Sequence, residues 1–195
     1  MSPKGINWDK AKENWIAGFT MDLFYNQLNN AFILQPIGQD EFGEVFEKQN
    51  GQGALIKGIN LEARANFNRI IQLEGGYTIQ SSRFDNAIEY IDGIPGIREF
   101  IRTPDNYGYA VLTYNNYNIT STLNYVYTGS MKVPHFAGTP NQLVDEIFTT
   151  DSFSDLSLKF NYNIPTILSS LDLYVGIKNI FITSTMGISY KIGAK

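Results

Sequence analysis

Apolar and polar side chains take turns along most of this chain, and a period of two predicts half-buried β-strands. Over residues 15–25, Trp15, Ala17, Phe19, Met21, Leu23 and Tyr25 fall on one face, with Gly18, Thr20, Asp22 and Phe24 on the other. Over 57–67, Ile59, Leu61, Ala63, Ala65 and Phe67 alternate with Asn60, Glu62, Arg64 and Asn66. The same pattern returns at 71–80, 119–128, 156–162, 171–178 and 188–193, and residues 107–114 have strand composition with a less clean alternation. This predicts about eight strands, each close to the ~9–11 residues that cross a bilayer at a ~45° tilt.

The connections between these strands also take turns. Those at 66–69, 115–118 and 163–170 are short, whereas 28–53, 83–103 and 131–151 are long; in or directly beside them lie Pro36, Pro95, Pro104, Pro134 and Pro140 with charges such as Asp40, Glu41, Arg98, Glu99 and Arg102. Outer-membrane barrels have short periplasmic turns and longer extracellular loops, a regularity that a soluble sandwich does not need. Tyr and Phe crowd the strand ends (Phe24 and Tyr25, Tyr107 and Tyr109, Tyr125 and Tyr127, Phe160 and Tyr162), which predicts two interfacial girdles. The fold class expected is all-β: about eight antiparallel meander strands forming an arc of a transmembrane outer-membrane β-barrel, with residues 1–195 as a single barrel segment.

Composition sharpens this picture. Charged residues are 17% and hydrophobic residues 43%, against about 25% and 45–50% in soluble domains; Asn, Gln, Ser, Thr and Tyr fill the difference. The chain has no cysteine, which removes thiol catalysis, thiolate metal sites and disulfides. A net charge of −4 with no cluster of Lys and Arg gives no sign of a nucleic-acid partner. No run of 18 apolar residues predicts a transmembrane helix, and the first eight residues lack the apolar core of a signal peptide.

Several segments resemble TonB-dependent receptors as sequence. Lys57-Gly58-Ile59-Asn60-Leu61-Glu62 resembles their KGIELE strand, and Gly76-Tyr77-Thr78-Ile79-Gln80-Ser81-Ser82-Arg83-Phe84-Asp85 their GYTYQSSRYD strand. Arg102-Thr103-Pro104-Asp105-Asn106-Tyr107-Gly108 is similar to RTPDHYG, Tyr127 to His135 to YTGSMxVPH, and Gly176-Ile177-Lys178-Asn179-Ile180-Phe181 to GVKNIF. The resemblance runs from about residue 15 onward in the family's order. It implies a 22-stranded barrel of which these are roughly the last eight strands, in the cell outer membrane of a Gram-negative bacterium, of the Bacteroidetes-like siderophore or cobalamin type. Such receptors take up ferric siderophores, cobalamin or oligosaccharides. The implied partners are outer-membrane lipid and lipopolysaccharide, the remaining strands, the plug, and the TonB complex through that plug. No segment resembles the plug or the TonB box. After Phe181 the family's long outer loop is replaced by Ile182-Thr183-Ser184-Thr185, and the chain ends at Lys195 without a terminal aromatic. A truncated, decayed or excised receptor is the expectation.

Catalytic and cofactor chemistry finds little support. His135 is the only histidine, and its neighbours Val133, Pro134, Phe136 and Ala137 offer no second metal ligand. No Gly-x-Ser-x-Gly elbow accompanies it. The pairs Asp40/Glu41 and Asp145/Glu146 read as solvated loop charge, and Gly51-Gln52-Gly53 precedes a strand, not a helix, so it makes no phosphate cradle. The expectation is therefore no enzyme, no cofactor and no metal. Arg98, Arg102, Lys132 and His135 remain as loop candidates for an anionic ligand, with lipopolysaccharide phosphate an equally good partner. Two other readings stay open: a self-contained eight-stranded outer-membrane barrel with a structural or adhesive role, and a soluble ligand-binding β-barrel.

Overall fold

The computed structural model describes residues 4–30, 32–138, 143–180 and 185–194. Among them the regular structure is all strand: β1 (Lys4–Lys12), β2 (Trp15–Leu28), β3 (Phe32–Asp40), β4 (Gly43–Asn50), β5 (Ala54–Phe67), β6 (Ile71–Ile88), β7 (Ile97–Glu99), β8 (Asn106–Asn116), β9 (Ile119–Thr128), β10 (Lys132–His135), β11 (Glu146–Thr149), β12 (Phe153–Pro165), β13 (Ser169–Lys178) and β14 (Thr185–Ala194). The main sheet runs β1-β2-β5-β6-β8-β9-β12-β13-β14, with β7 beside β6, and every pairing is antiparallel. The eight strands predicted from alternation are all in it. A ninth, β1, precedes them. Among the described residues no pairing joins β1 to β14, so the sheet is an open arc.

Directly opposed residues of antiparallel strands project to the same face, so the register sorts the side chains. One row runs Trp8, Phe19, Ala63, Gly75, Ala110, Tyr125, Leu156. One residue along, on the opposite face, the row is Asp9, Gly18, Arg64, Glu74, Val111, Asn124, Ser157. Ile59, Leu61, Leu123, Leu156, Leu158, Leu173 and Val175 all share the apolar face. A slip by one residue in any strand would exchange its oily and wet sets, which is why long, strictly alternating strands hold their register.

At one end the strands are joined by tight turns. Asn68 and Arg69 have φ of 50° and 59°, and Tyr117 has φ of 50°, the left-handed values that tight hairpins demand. Backbone bonds tie neighbouring turns sideways: Asn68 N donates to Asn14 O (2.7 Å), Asn115 N to Ile70 O (2.7 Å) and Asn163 N to Asn118 O (2.8 Å). At the other end the long connections are folded, where alternation alone predicts plain loops. Segment 28–53 contains the β3–β4 hairpin, 83–103 holds the end of β6 and β7, and 131–151 holds the β10–β11 hairpin. Those elements are short or lack a continuous oily face, so period two does not reveal them.

Candidate functional site

The polar face carries a lattice of side-chain contacts. Asp9 on β1 and Arg64 on β5 are two strands apart, yet Arg64 Nη2 donates to Asp9 Oδ1 at 2.6 Å. The residue between them is Gly18; a Cβ there would lie 2.8 Å from Arg64 Nε, so the missing side chain is what lets the pair meet. Thr78 Oγ1 donates to Asn60 Oδ1 at 3.0 Å, and Asn163 Nδ2 to Asp172 Oδ1 at 2.6 Å. Lys159 Nζ stands 4.9 Å from the centre of the Tyr174 ring. Thr120, Thr122, Lys159, Asn161, Asp172 and Tyr174 line a polar basin of about 400 Å³.

The register corrects the aromatic girdle. Tyr25, Tyr125, Tyr127, Phe160 and Tyr162 lie on the apolar face as expected, but Phe24, Tyr107 and Tyr109 lie on the polar one. Two of these three cover glycines. Phe24 is opposite Gly58, and Tyr109 is opposite Gly76 with its ring where a Cβ of Gly76 would meet Cε1 at 2.7 Å. Rings laid over cross-strand glycines restore the contact that the missing side chain forfeits. Alternation over 15–25 already sets Phe24 on the face opposite Tyr25; for Tyr107 and Tyr109, parity has to be counted across the pairing.

The loop end builds a separate small core. Ala54 is fully buried, with Ile91 at 5% and Ser82 at 7% exposure. Phe84 and Phe100 stack with centroids 4.3 Å apart. Gln52 clamps the end of β6 twice, donating from Nε2 to Asn86 O (2.9 Å) and accepting from Asn86 N at Oε1 (2.5 Å). Phe100 N donates to Ser82 O (3.2 Å), and Arg102 N to Lys132 O (2.7 Å), so segment 83–103 is knitted to β6 on one side and to β10 on the other. Burial pushes the Tyr90 phenol above its usual range, with the nearby Glu99 charge adding to the effect and a backbone hydrogen bond at Ile101 opposing it.

The four loop candidates therefore separate. Arg102 and Lys132 are brought together by the backbone bond just given, with Arg102 at φ 55°. Arg98 spends its Nε on Phe84 O at 2.9 Å. His135 faces Glu146 across the hairpin and stacks on Phe148 at 4.9 Å and 9°. Among the described residues no group of three or more His, Asp or Glu gathers to hold a metal. The sequence reading missed β1 and its Asp9; Ile6 and Trp8 are its only alternating apolar signal before Lys10 and Lys12 intervene.

The family model described as TonB dependent receptor-like, beta-barrel matches residues 5–180. No curated protein matches the chain. Among solved structures it is similar to the siderophore receptor PirA from Acinetobacter baumannii, with TM-score 0.55 and 15% identity over 96% of this chain and 30% of that one. It is also similar to the ferripyoverdine receptor of the outer membrane of Pseudomonas aeruginosa (TM-score 0.61, 13% identity, 97% and 26%). A third is the FrpB iron transporter from Neisseria meningitidis (TM-score 0.55, 14% identity, 96% and 29%). At these identities the likeness is one of fold, and the chain spans less than a third of each of those proteins.

Proposed function

The chain belongs to the TonB-dependent receptor β-barrel family, whose members are transporters and receptors, not enzymes, and we propose that it forms one wall segment of an outer-membrane receptor for ferric siderophores. Cobalamin and oligosaccharides are the other cargoes that the family resemblance allows. The observation that carries this reading is the two-faced meander, with tight turns at one end and knitted loops at the other. The apolar face meets lipid, the polar face lines the lumen, and the knitted loops form part of the outer rim. Arg102 and Lys132 supply cationic charge there for an anionic ligand or for lipopolysaccharide phosphate; His135 and Arg98 shape the rim. Residues 1–195 act as a single barrel segment, while the plug and its coupling to the TonB complex come from sequence outside them. A self-contained eight-stranded barrel would pair its first and last strands, and this sheet has nine strands along its path with no such pairing among the described residues.

Growth of a receptor-deficient strain with a ferric siderophore as sole iron source tests the proposal. In-frame removal of the segment from its parent receptor is expected to abolish growth, and the segment alone behind a signal sequence is expected not to restore it. An open arc leaves two edges of unpaired backbone, each group costing several kcal/mol in hydrocarbon. TonB-dependent rescue by the segment alone would overturn the reading.

A further inference from the structure

The apolar face is not flat. Where Ala63, Gly75 and Ala110 stand side by side on β5, β6 and β8, the wall sinks into a trough of about 660 Å³. Phe19 bounds it on the β2 side and Tyr125 on the β9 side, both in the same cross-strand row as the three small residues. Toward the loops it is closed by Leu61 and the stacked Tyr77–Tyr127 pair, whose centroids are 6.3 Å apart. The Tyr77 ring also occupies the space over Gly108, where a Cβ would meet Cδ2 at 2.6 Å. Toward the tight turns Leu73 bounds it on β6, while Ala65 and the Ala17 opposite it leave a low exit over β5 and β2.

We propose that this trough lodges one acyl chain of a phospholipid from the periplasmic leaflet; the inference rests on the reading of the wall as membrane-spanning. Depth is the first argument. The eleven residues of β5 from Phe67 back to Lys57 cover the oily band, about 25 Å tall at a rise of ~3.3 Å per step and a tilt of ~40°. Ala63 sits near the middle of that band, continuous with the lipid-facing surface on every side. At that depth water finds no hydrogen-bond partners in an apolar hollow, and an unfilled hollow forfeits dispersion contacts along its lining. A hydrocarbon chain is the filler at hand. Direction is the second argument. The exit between Ala17 and Ala65 faces the tight-turn end, which is periplasmic in this family's barrels, and the leaflet there is phospholipid; the tyrosine pair blocks approach from the lipopolysaccharide side.

The test uses the complete receptor barrel containing this chain, extracted from outer membranes in mild detergent and examined by native mass spectrometry with phosphatidylethanolamine as the probe. The native protein is expected to retain one phosphatidylethanolamine that survives detergent exchange. Ala63→Leu and Ala110→Leu, which fill the trough, should each lower that retention at least ten-fold, whereas Val175→Leu on the same face outside the trough should leave it unchanged. Heat-modifiable gel migration of the same samples reports barrel insertion separately, so a failure of the membrane reading shows as loss of the folded band in the native protein. With folded barrels in hand, equal retention by all four proteins overturns the proposal. So does retained lipopolysaccharide in place of phospholipid, or a co-extracted protein that Ala63→Leu displaces.

Discussion

The wall and the loop cap solve the burial problem in opposite ways. On the wall, Leu73 is 48% exposed and Ile79 50%, although both lie in β6 at positions paired on both sides. In the cap, the loop ends of β5 and β6 and the segment that follows β6 bury Ala54 and Ile91 almost completely. The cap behaves as a small soluble core, closed by its own chain through Phe84, Phe100 and the Gln52 clamp. The wall leaves its apolar burial to whatever surrounds it, and in water these exposed rows would be a liability. Backbone pairing holds the wall's shape; in the membrane-spanning reading proposed above, lipid supplies its hydrophobic stabilisation. The difference teaches that low burial here is a statement about the intended solvent, not about poor packing.

The sharpest way to break that comparison is to charge the wall. Leu123→Arg or Leu158→Arg, both on the apolar face near mid-band, should cost ~2–4 kcal/mol in a lipid-inserted barrel. Thr122→Arg or Ser157→Arg, one residue away on the polar face, should cost little. Reversible denaturant titration in phospholipid vesicles reads both, and equal costs at the two kinds of site would mean that the sheet is buried on both faces. A cap substitution should act by the ordinary cavity rule instead. Ile91→Ala is expected to destabilise the cap by about 2 kcal/mol, the low end for a buried aliphatic because a loop core relaxes readily. Limited proteolysis within 89–103 should accelerate while the wall resists protease as before; simultaneous loss of the wall would show that cap and wall fold as one unit.

A smaller effect is expected on the polar face. Gly18→Val puts a side chain where Asp9 and Arg64 meet. Hydrogen exchange at β1 amides should quicken while β5 and β6 stay protected. Arg64→Gln should give a milder version of the same change, because the Asp9–Arg64 pair is solvent-accessible on both sides and such pairs contribute little. No change in β1 exchange with either variant would mean that backbone pairing alone fixes that strand.

How much of this was legible follows from the same division. The wall's strands were readable because a sheet with lipid on one side and water on the other writes period two into every strand, as in Ile59, Leu61, Ala63, Ala65 and Phe67. β1 was not, since Lys10 and Lys12 occupy its apolar-parity positions, opposite Ala17 and Trp15. Alternation over 15–25 already puts Phe24 on the polar face, whereas Tyr107 and Tyr109 fall where alternation is least clean; that Phe24 and Tyr109 cover glycines emerges only from the pairing. The cap was illegible because its contacts join residues far apart in sequence, such as Gln52 with Asn86 and Arg102 with Lys132. No local pattern encodes such pairings, so of the rim candidates the sequence offered residue types and left their meeting to the fold.

The smallest expected effect is a pH response confined to the cap. Tyr90 lies in the knitted segment, and its hydroxyl donates to Glu99 O at 3.4 Å. Burial first, and the Glu99 charge second, raise its pKa above the usual value of about 10. A phenol whose folded pKa is raised holds its proton more tightly in the closed cap than in the opened loop. Its contribution is therefore present in full below pH ~10 and is lost as pH rises through the folded value. Proteolysis of segment 89–103 should be flat from neutral pH to about 9, then quicken at higher pH, at wall positions not at all. Tyr90→Phe should flatten the alkaline rise by removing the ionisable group while keeping the ring. If the rise persists in Tyr90→Phe, another alkaline group opens the cap. If the wall loosens in parallel, the two regions are not the independent units that their burial implies.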